Sequence, residues 1–406
     1  MNRAEIAVTG LGLVTPAGIG VPATWAGLCA GRSTAARDER LAGLPVDLSC
    51  RVPGFDPVAR LGRRLIWRID RFTQLALVAA REAVADAGLD PTGWDGTRVA
   101  VVIGCGGGGD HLTDEYEKFR ARRIRAMSPL AIPRTAANMV AGEIGMDLQA
   151  LGPNLVTSTA CASGATAIGV ARDLLRGGAC DVAIAGGTEC ACVPLVTAMF
   201  AQMRVLSDRH DDPATAIRPF ASDRNGFVLS EGAGILILER AADAAARGAG
   251  AHAYLAGYGA TADGYHQTTP DPSAQGVTRA MREALRDADI DPRDVHHVNA
   301  HGTATPHNDL AEARALHAVF PSPPPVTATK SIIGHSIGGA GAIEAACTVL
   351  ALRHRTIPPT ANLDRLDPAI DLDVVTGSPR RRPMAAAMSN SFAFGGQNAV
   401  LVFRAA

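Results

Sequence analysis

Short apolar runs alternate with Ala-rich amphipathic stretches along all 406 residues. RVAVVIGC (98–105) and DVAIAGG (181–187) have the near-continuous hydrophobicity of strands covered on both faces. TQLALVAAREAVADAG (73–88) and TRAMREALRDADI (278–290) space their apolar residues at helical intervals. This alternation predicts an α/β fold with largely buried sheets.

The pattern also repeats. GFVLSEGAGILILER (226–240) has the layout of SFAFGGQNAVLVFR (391–404): an aromatic start, a Gly turn and an apolar strand ending in Arg. TSTACASGATAIGVARDLL (157–175) parallels TATKSIIGHSIGGAGAIEAACTVLAL (327–352), each leading from Thr-x-Thr into a small-residue helix. Offsets of about 165 to 170 residues are too long for a solenoid repeat. They predict a duplicated α/β unit with its boundary near Gly250, giving halves at 1–250 and 251–406. The longer first copy is expected to carry an insertion around 106–150.

Composition narrows the function. A hydrophobic fraction of 47% supplies a large core. Lys+Arg 39 against Asp+Glu 40 leaves a net charge of −1, so there is no global basic field for nucleic acid. Any acidic partner must meet a local patch. The N-terminus reads as a strand and a turn rather than a signal peptide. No apolar stretch reaches 18 residues, so no membrane span is expected. Eight cysteines without CxxC pairs argue against a disulfide framework or a zinc ribbon, and point to a reducing cytoplasm.

One of these cysteines stands apart. Cys161 lies in TSTACASG, bracketed by small residues at a predicted helix start, where amides and the helix dipole favour thiolate. On this segment alone it could still be a small buried hydrophobe beside tight turns. The second half supplies complementary chemistry. VNAHGTATPHNDLAEARAL (298–316) places His301 after a strand end, ahead of a helix carrying Asp309 and Glu312. TKSIIGHSIGGAGAIEA (329–345) places Lys330 and His335 in a Gly-rich loop. Lysine in such apolar surroundings needs a carboxylate partner, for which Glu312 is a reasonable candidate. SNSFAFGGQNAVLVF (389–403) adds a Gly-rich turn whose amides could face an oxyanion. A thiol, two histidines, a buried lysine and an amide turn make acyl-thioester chemistry the natural expectation.

Together these segments resemble the β-ketoacyl-ACP synthases of the thiolase superfamily, nearest the discrete elongating type of fatty acid and type II polyketide pathways. The likeness runs from IAVTGLGLVTPAG to SFAFGGQNAVLVF. It implies a thiolase-like fold of five layers, αβαβα, with mixed central sheets. Cys161 would accept the acyl group, and His301 with His335 would support decarboxylation. Lys330, partnered by Glu312, would hold His335 and the site network. The amides of Cys161 and Phe394 would form the oxyanion hole, with Phe394 gating the acyl pocket and Phe392 near the malonyl group. Thr268 belongs with the implied pocket residues. Neither cofactor nor metal is expected, although Asn299, Glu344, Ser389 and Asn390 match positions that bind a monovalent cation in some relatives.

Departures from the family pattern suggest the substrate. Ala393 and Gln397 replace a usual Gly and Thr beside the gate. Gly107 and Asp110 fall where relatives for saturated chains carry bulky aliphatics, and Leu130 and Ala131 where they carry aromatics facing the pocket across a dimer. The expectation is a longer, more polar tunnel for a polyketide, polyene or other non-standard chain. The implied partner is an acyl carrier protein with its phosphopantetheine arm, docking on Arg64, Arg68, Arg125 and Arg204, with Arg64 and Arg68 on one face of a helix. The chain is expected to form a homodimer, or a heterodimer with a chain-length-factor-like subunit. The alternatives are a non-catalytic subunit of that kind or a non-decarboxylating acyltransferase. A degradative thiolase would need a second cysteine in SFAFGGQNA, and a chalcone-synthase-like enzyme would lack the second histidine.

Overall fold

A computed structural model describes residues 4–107, 109 and 111–406. Ten strands make up most of one large sheet: β1 (Ile6–Thr15), β2 (Val99–Gly104), β3 (Asn154–Thr157), β4 (Val182–Cys190), β5 (Glu231–Arg240), β6 (Ala253–Ala262), β7 (Val295–Asn299), β8 (Val326–Thr327), β9 (Ala386–Phe392) and β10 (Gln397–Ala405). Their order is β8-β7-β9-β10-β6-β1-β5-β4-β2-β3. The repeat is plain in this order. Read outward from the centre, β1-β5-β4-β2-β3 and β6-β10-β9-β7-β8 have the same sequence of antiparallel, antiparallel, parallel and parallel neighbours. The two five-stranded halves join where Ile6–Val8 pairs with Ala253–Leu255.

Five helices complete the layers: α1 (Arg71–Asp86), α2 (Ser163–Arg176), α3 (Gln275–Ala288), α4 (Pro306–Val319) and α5 (Ala340–His354). Helices α2 and α5 lie against each other at the centre, α1 covers β1, β4 and β5 from outside, and α3 covers β6 and β10. This is the five-layer αβαβα arrangement. Glycine makes the equivalent contacts in both copies. A Cβ at Gly10 or Gly12 would lie 2.2 or 1.8 Å from the carbonyl oxygens of Ala83 and Ala79 on α1. At Gly257 or Gly259 it would lie 2.1 Å from those of Ala284 and Ala280 on α3. Only hydrogen at these positions lets strand and helix backbones touch.

The connection from β2 to β3 runs through residues 105–153, including helices His111–Arg120 and Met139–Leu148. It exposes apolar side chains: Leu112, Tyr116, Phe119, Ile124 and Ile132, the last at 75%. Scattered exposed hydrophobics are ordinary, but several on one segment mark an interaction surface.

The single helix expected to carry Arg64 and Arg68 is broken. Arg63–Ile66 forms one short turn of helix, and Asp70 caps the separate helix α1 by accepting from the Arg71 amide. Arg64 and Arg68 therefore do not share a helical face. Arg68 is committed to buried Glu143 at 2.6 Å, while Arg64 is exposed.

Candidate active site

The carboxyl end of β3 leads into a three-residue 3-10 turn, Ala160–Ala162, and then into α2. Ala160 is held at φ +46°. Such backbone costs on the order of 1–3 kcal/mol and persists only where neighbours enforce it. Ser163 does so here: its hydroxyl donates to the Ala160 carbonyl at 2.7 Å and accepts from the Thr159 amide at 2.9 Å. The turn presents Cys161, 4% exposed, to a cavity of about 280 Å³.

His335 Nε2 lies 3.1 Å from the Cys161 sulfur, and the His301 and His335 rings meet edge to face at 5.5 Å. The thiol sulfur and one nitrogen of each ring lie within 4.8 Å of one another. Burial drives both imidazoles well below their usual range, helped by the nearby Lys330 charge, so both are neutral at physiological pH. The expected resting thiolate is not what the site favours. Burial pushes the Cys161 thiol up to about 11, outweighing the pull of Lys330 and of the amides of Phe394 and Cys161. The proton must therefore leave as the thiol reacts, and His335 is the base within reach.

Lys330 is fully buried and has a different partner from the one expected. Its ammonium donates to Glu344 Oε1 at 2.5 Å, to the His301 carbonyl at 2.7 Å and to His301 Nδ1 at 3.2 Å. Glu344 lies on α5, three residues on from the Gly341 contact that seats this helix against α2. Glu312 instead clamps the His301 turn: its two oxygens accept from the amides of His301 and Gly302, each at 2.9 Å, and one also from Asn390 at 3.0 Å. Because Lys330 donates to Nδ1, the other ring nitrogen of His301 carries the proton and points its N–H into the cavity.

Phe392, Phe394 and Thr268 line the cavity beside Cys161, and exposed Arg204 stands at its mouth with Asp263 and His307. Phe394 stacks on Phe200, with ring centroids 6.3 Å apart. Gly395 and Gly396 behind it take φ of +80° and +70°, the freedom a turn of this shape requires. Gly107, Leu130 and Ala131 do not line this cavity. They lie on the surface connection, where a Cβ at Gly107 would meet only Ala137, at 3.9 Å. Asp110 lies outside the described residues. Exposed Arg125 sits on the same connection. Of Asn299, Glu344, Ser389 and Asn390, Asn299 donates to the Glu344 carbonyl at 3.2 Å and pairs with Ser389 between β7 and β9, while Glu344 Oε2, Ser389 Oγ and Asn390 Oδ1 are buried without a protein hydrogen bond. Such an all-oxygen set fits a small hard cation.

A duplicated α/β chain with a cysteine at a central helix start, facing histidines from its second half, is the architecture of a thiolase-like acyltransferase. Residues 3–244 match the model of the beta-ketoacyl synthase N-terminal domain, and residues 252–364 that of the C-terminal domain. The chain belongs to the β-ketoacyl synthase family. It is 42% identical to a 3-oxoacyl-[acyl-carrier-protein] synthase 2 of Synechocystis sp., over 100% of this chain and 99% of that one. A Staphylococcus aureus protein of the same name is 40% identical over 98% of each. Among solved structures, the ishigamide ketosynthase/chain length factor superposes with a TM-score of 0.91 at 36% identity, covering 100% of each chain. A type II PKS acyl-carrier protein in complex with its ketosynthase bound to the hexaketide gives 0.92 at 29% identity, again over 100% of each. Among the described residues no helix is long and apolar enough to cross a membrane.

Proposed function

We propose that this chain condenses an acyl group held on Cys161 with malonyl-ACP, releasing CO2 and giving β-ketoacyl-ACP, in the cytoplasm. The observation that carries this reading is the buried trio of Cys161, His335 and His301, whose reactive atoms lie within 4.8 Å of one another.

In the first half-reaction the Cys161 sulfur attacks the acyl thioester as its proton moves to His335. The oxyanion of the tetrahedral intermediate is met by the Cys161 and Phe394 amides, and the carrier-protein sulfur leaves as a thiolate that water protonates, so that His335 keeps the Cys161 proton until the condensation returns it. In the second, malonyl-ACP loses CO2 and its thioester oxygen gains negative charge. The N–H of neutral His301, held by Lys330, and that of His335 stabilise this enolate. Its carbon attacks the Cys161 thioester, the same amides take the new oxyanion, and Cys161 departs to regain its proton. A monovalent cation held by Asn299, Glu344, Ser389 and Asn390 would contribute fixed positive charge behind the Lys330 network.

Arg64, Arg68, Arg125 and Arg204 are exposed cations that would meet an acidic carrier protein, Arg68 while paired with Glu143. The apolar side chains of 111–132 fit pairing with a second chain, either a copy or a chain-length-factor-like subunit. The acyl class is a fatty or polyketide chain. Intact-protein mass spectrometry with a panel of acyl-ACPs, alongside CO2 release from malonyl-ACP, tests the reading. Acyl mass on wild type but not on Cys161→Ala, together with CO2 release, supports it. Acylation without CO2 release would leave a simple acyltransferase and refute it.

A further inference from the structure

The Cys161 turn has a twin. Ile337, at φ +42°, opens a second 3-10 turn, Ile337–Gly339, which runs into α5 just as Ala160–Ala162 runs into α2. The correspondence is reciprocal. A Cβ on Gly164 would strike the Ala342 amide at 2.6 Å, and one on Gly341 the Ala165 amide at 2.9 Å. Gly338 therefore occupies the place of Cys161, and Ala340 that of Ser163. The first turn is braced by the Ser163 hydroxyl, but Ala340 has none to offer. A β-branched residue at positive φ needs bracing more than alanine does.

The brace comes from β4. Glu189, 3% exposed, accepts from the Gly106 amide at 2.7 Å, and the amides of Gly338 and Cys190 also turn toward its carboxyl. A Cβ on Gly338 would lie 2.9 Å from Glu189 Oε2 and 2.6 Å from the Gly106 nitrogen, so the twin position holds a carboxylate contact where the first copy holds the thiol. The mechanism above gives Glu189 no task. It lines neither the Cys161 cavity nor any ion pair among the described residues. Yet it ties the end of β2 to the turn that begins two residues after His335.

We propose that Glu189 is a positioning residue for His335: its carboxyl holds the strained Ile337–Gly338 turn and so fixes His335 Nε2 against Cys161. This rests on the condensation reading, in which His335 takes the Cys161 proton in the first half-reaction and helps stabilise the enolate in the second. Glu189 Oε1 makes no hydrogen bond, so the amide nitrogen of glutamine can stand there while its carbonyl keeps the Gly106 and Gly338 contacts.

The test uses the full chain with Glu189→Gln and Glu189→Leu, measuring Cys161 acylation by mass and CO2 release from malonyl-ACP. Displacement of a reacting group by about 1 Å costs about 100-fold, so Glu189→Leu should lose at least ~30-fold in CO2 release, with KM for malonyl-ACP unchanged. Its acylation, which uses His335 as base, should fall by at least ~10-fold as well, and Glu189→Gln should be restored to within about 3-fold of wild type in both assays. Loss of neither half-reaction, a loss carried by KM instead of the rate, or failure of Glu189→Gln to restore both half-reactions overturns the proposal. If Glu189→Leu does not fold, Glu189→Asp, which withdraws the carboxyl by one methylene, makes the same comparison with glutamine. Wild type that releases no CO2 would sink the condensation reading itself, a result distinct from any difference between the variants.

Discussion

Replacing Lys330 by Met keeps most of the buried stem and removes the ammonium. Glu344 Oε1, the His301 carbonyl and His301 Nδ1 all lose a donor. Stranding buried acceptors costs about 1–3 kcal/mol. The larger consequence is its pH dependence. Burial already pushes Glu344 from 4.5 up to about 7 against the pull of Lys330, and without that pull it rises further. An acid whose folded pKa is raised stabilises the fold fully below its unfolded value, and that contribution is lost as pH climbs toward the folded value. Wild type and variant therefore lose stability in parallel up to pH about 7. Above it wild type levels off, while the variant keeps losing about 1.4 kcal/mol per pH unit. At pH 8.5 the deficit should be about 3–5 kcal/mol, the range measured for broken buried ion pairs. Urea denaturation of both proteins at pH 6, 7, 8 and 8.5 reads this directly. A deficit that is flat or shrinks from pH 7 to 8.5 refutes the assignment of Glu344 as the carboxyl that Lys330 neutralises.

Other consequences can be checked alongside. His301→Ala should reduce CO2 release by about 100-fold or more while Cys161 still takes an acyl group, read by mass and by trapped CO2. Gly164→Val should fail to give folded protein, since even its Cβ would sit 2.6 Å from the Ala342 nitrogen; soluble variant with wild-type circular dichroism would contradict the close helix crossing. Arg64→Glu should raise KM for acyl-ACP and spare small thioester mimics. Arg68→Glu should also lower the melting temperature, because it sets two carboxylates together at Glu143.

The groups that meet in the cavity were legible because each sits in a local pattern: a small-residue helix start at Cys161 and Gly-rich loops at His301 and His335. Their supports were not. Glu312 looked like the partner of Lys330 because it follows His301 closely in the chain, but α5 brings Glu344 to the ammonium and leaves Glu312 to the His301 amides. Glu189 closes an apolar strand, AIAGGTEC, and nothing beside it suggests that three amides converge there. The break before α1 did leave a sign, since Asp70 is a good N-cap. The pocket expected from Gly107, Leu130 and Ala131 required knowing where a long surface connection lies, which periodicity does not report.

From Ala340 to Leu352 every residue of α5 is buried, so this helix has no polar face. Its shelter comes from both copies, α2 and β5 of the first half as well as β9 and β10 of its own. Half a molecule would leave such a helix open to water, and would fold only by finding another half. The two helix starts therefore depend on one shared buried centre, with Cys161 at the head of α2 and Gly338 at the head of α5.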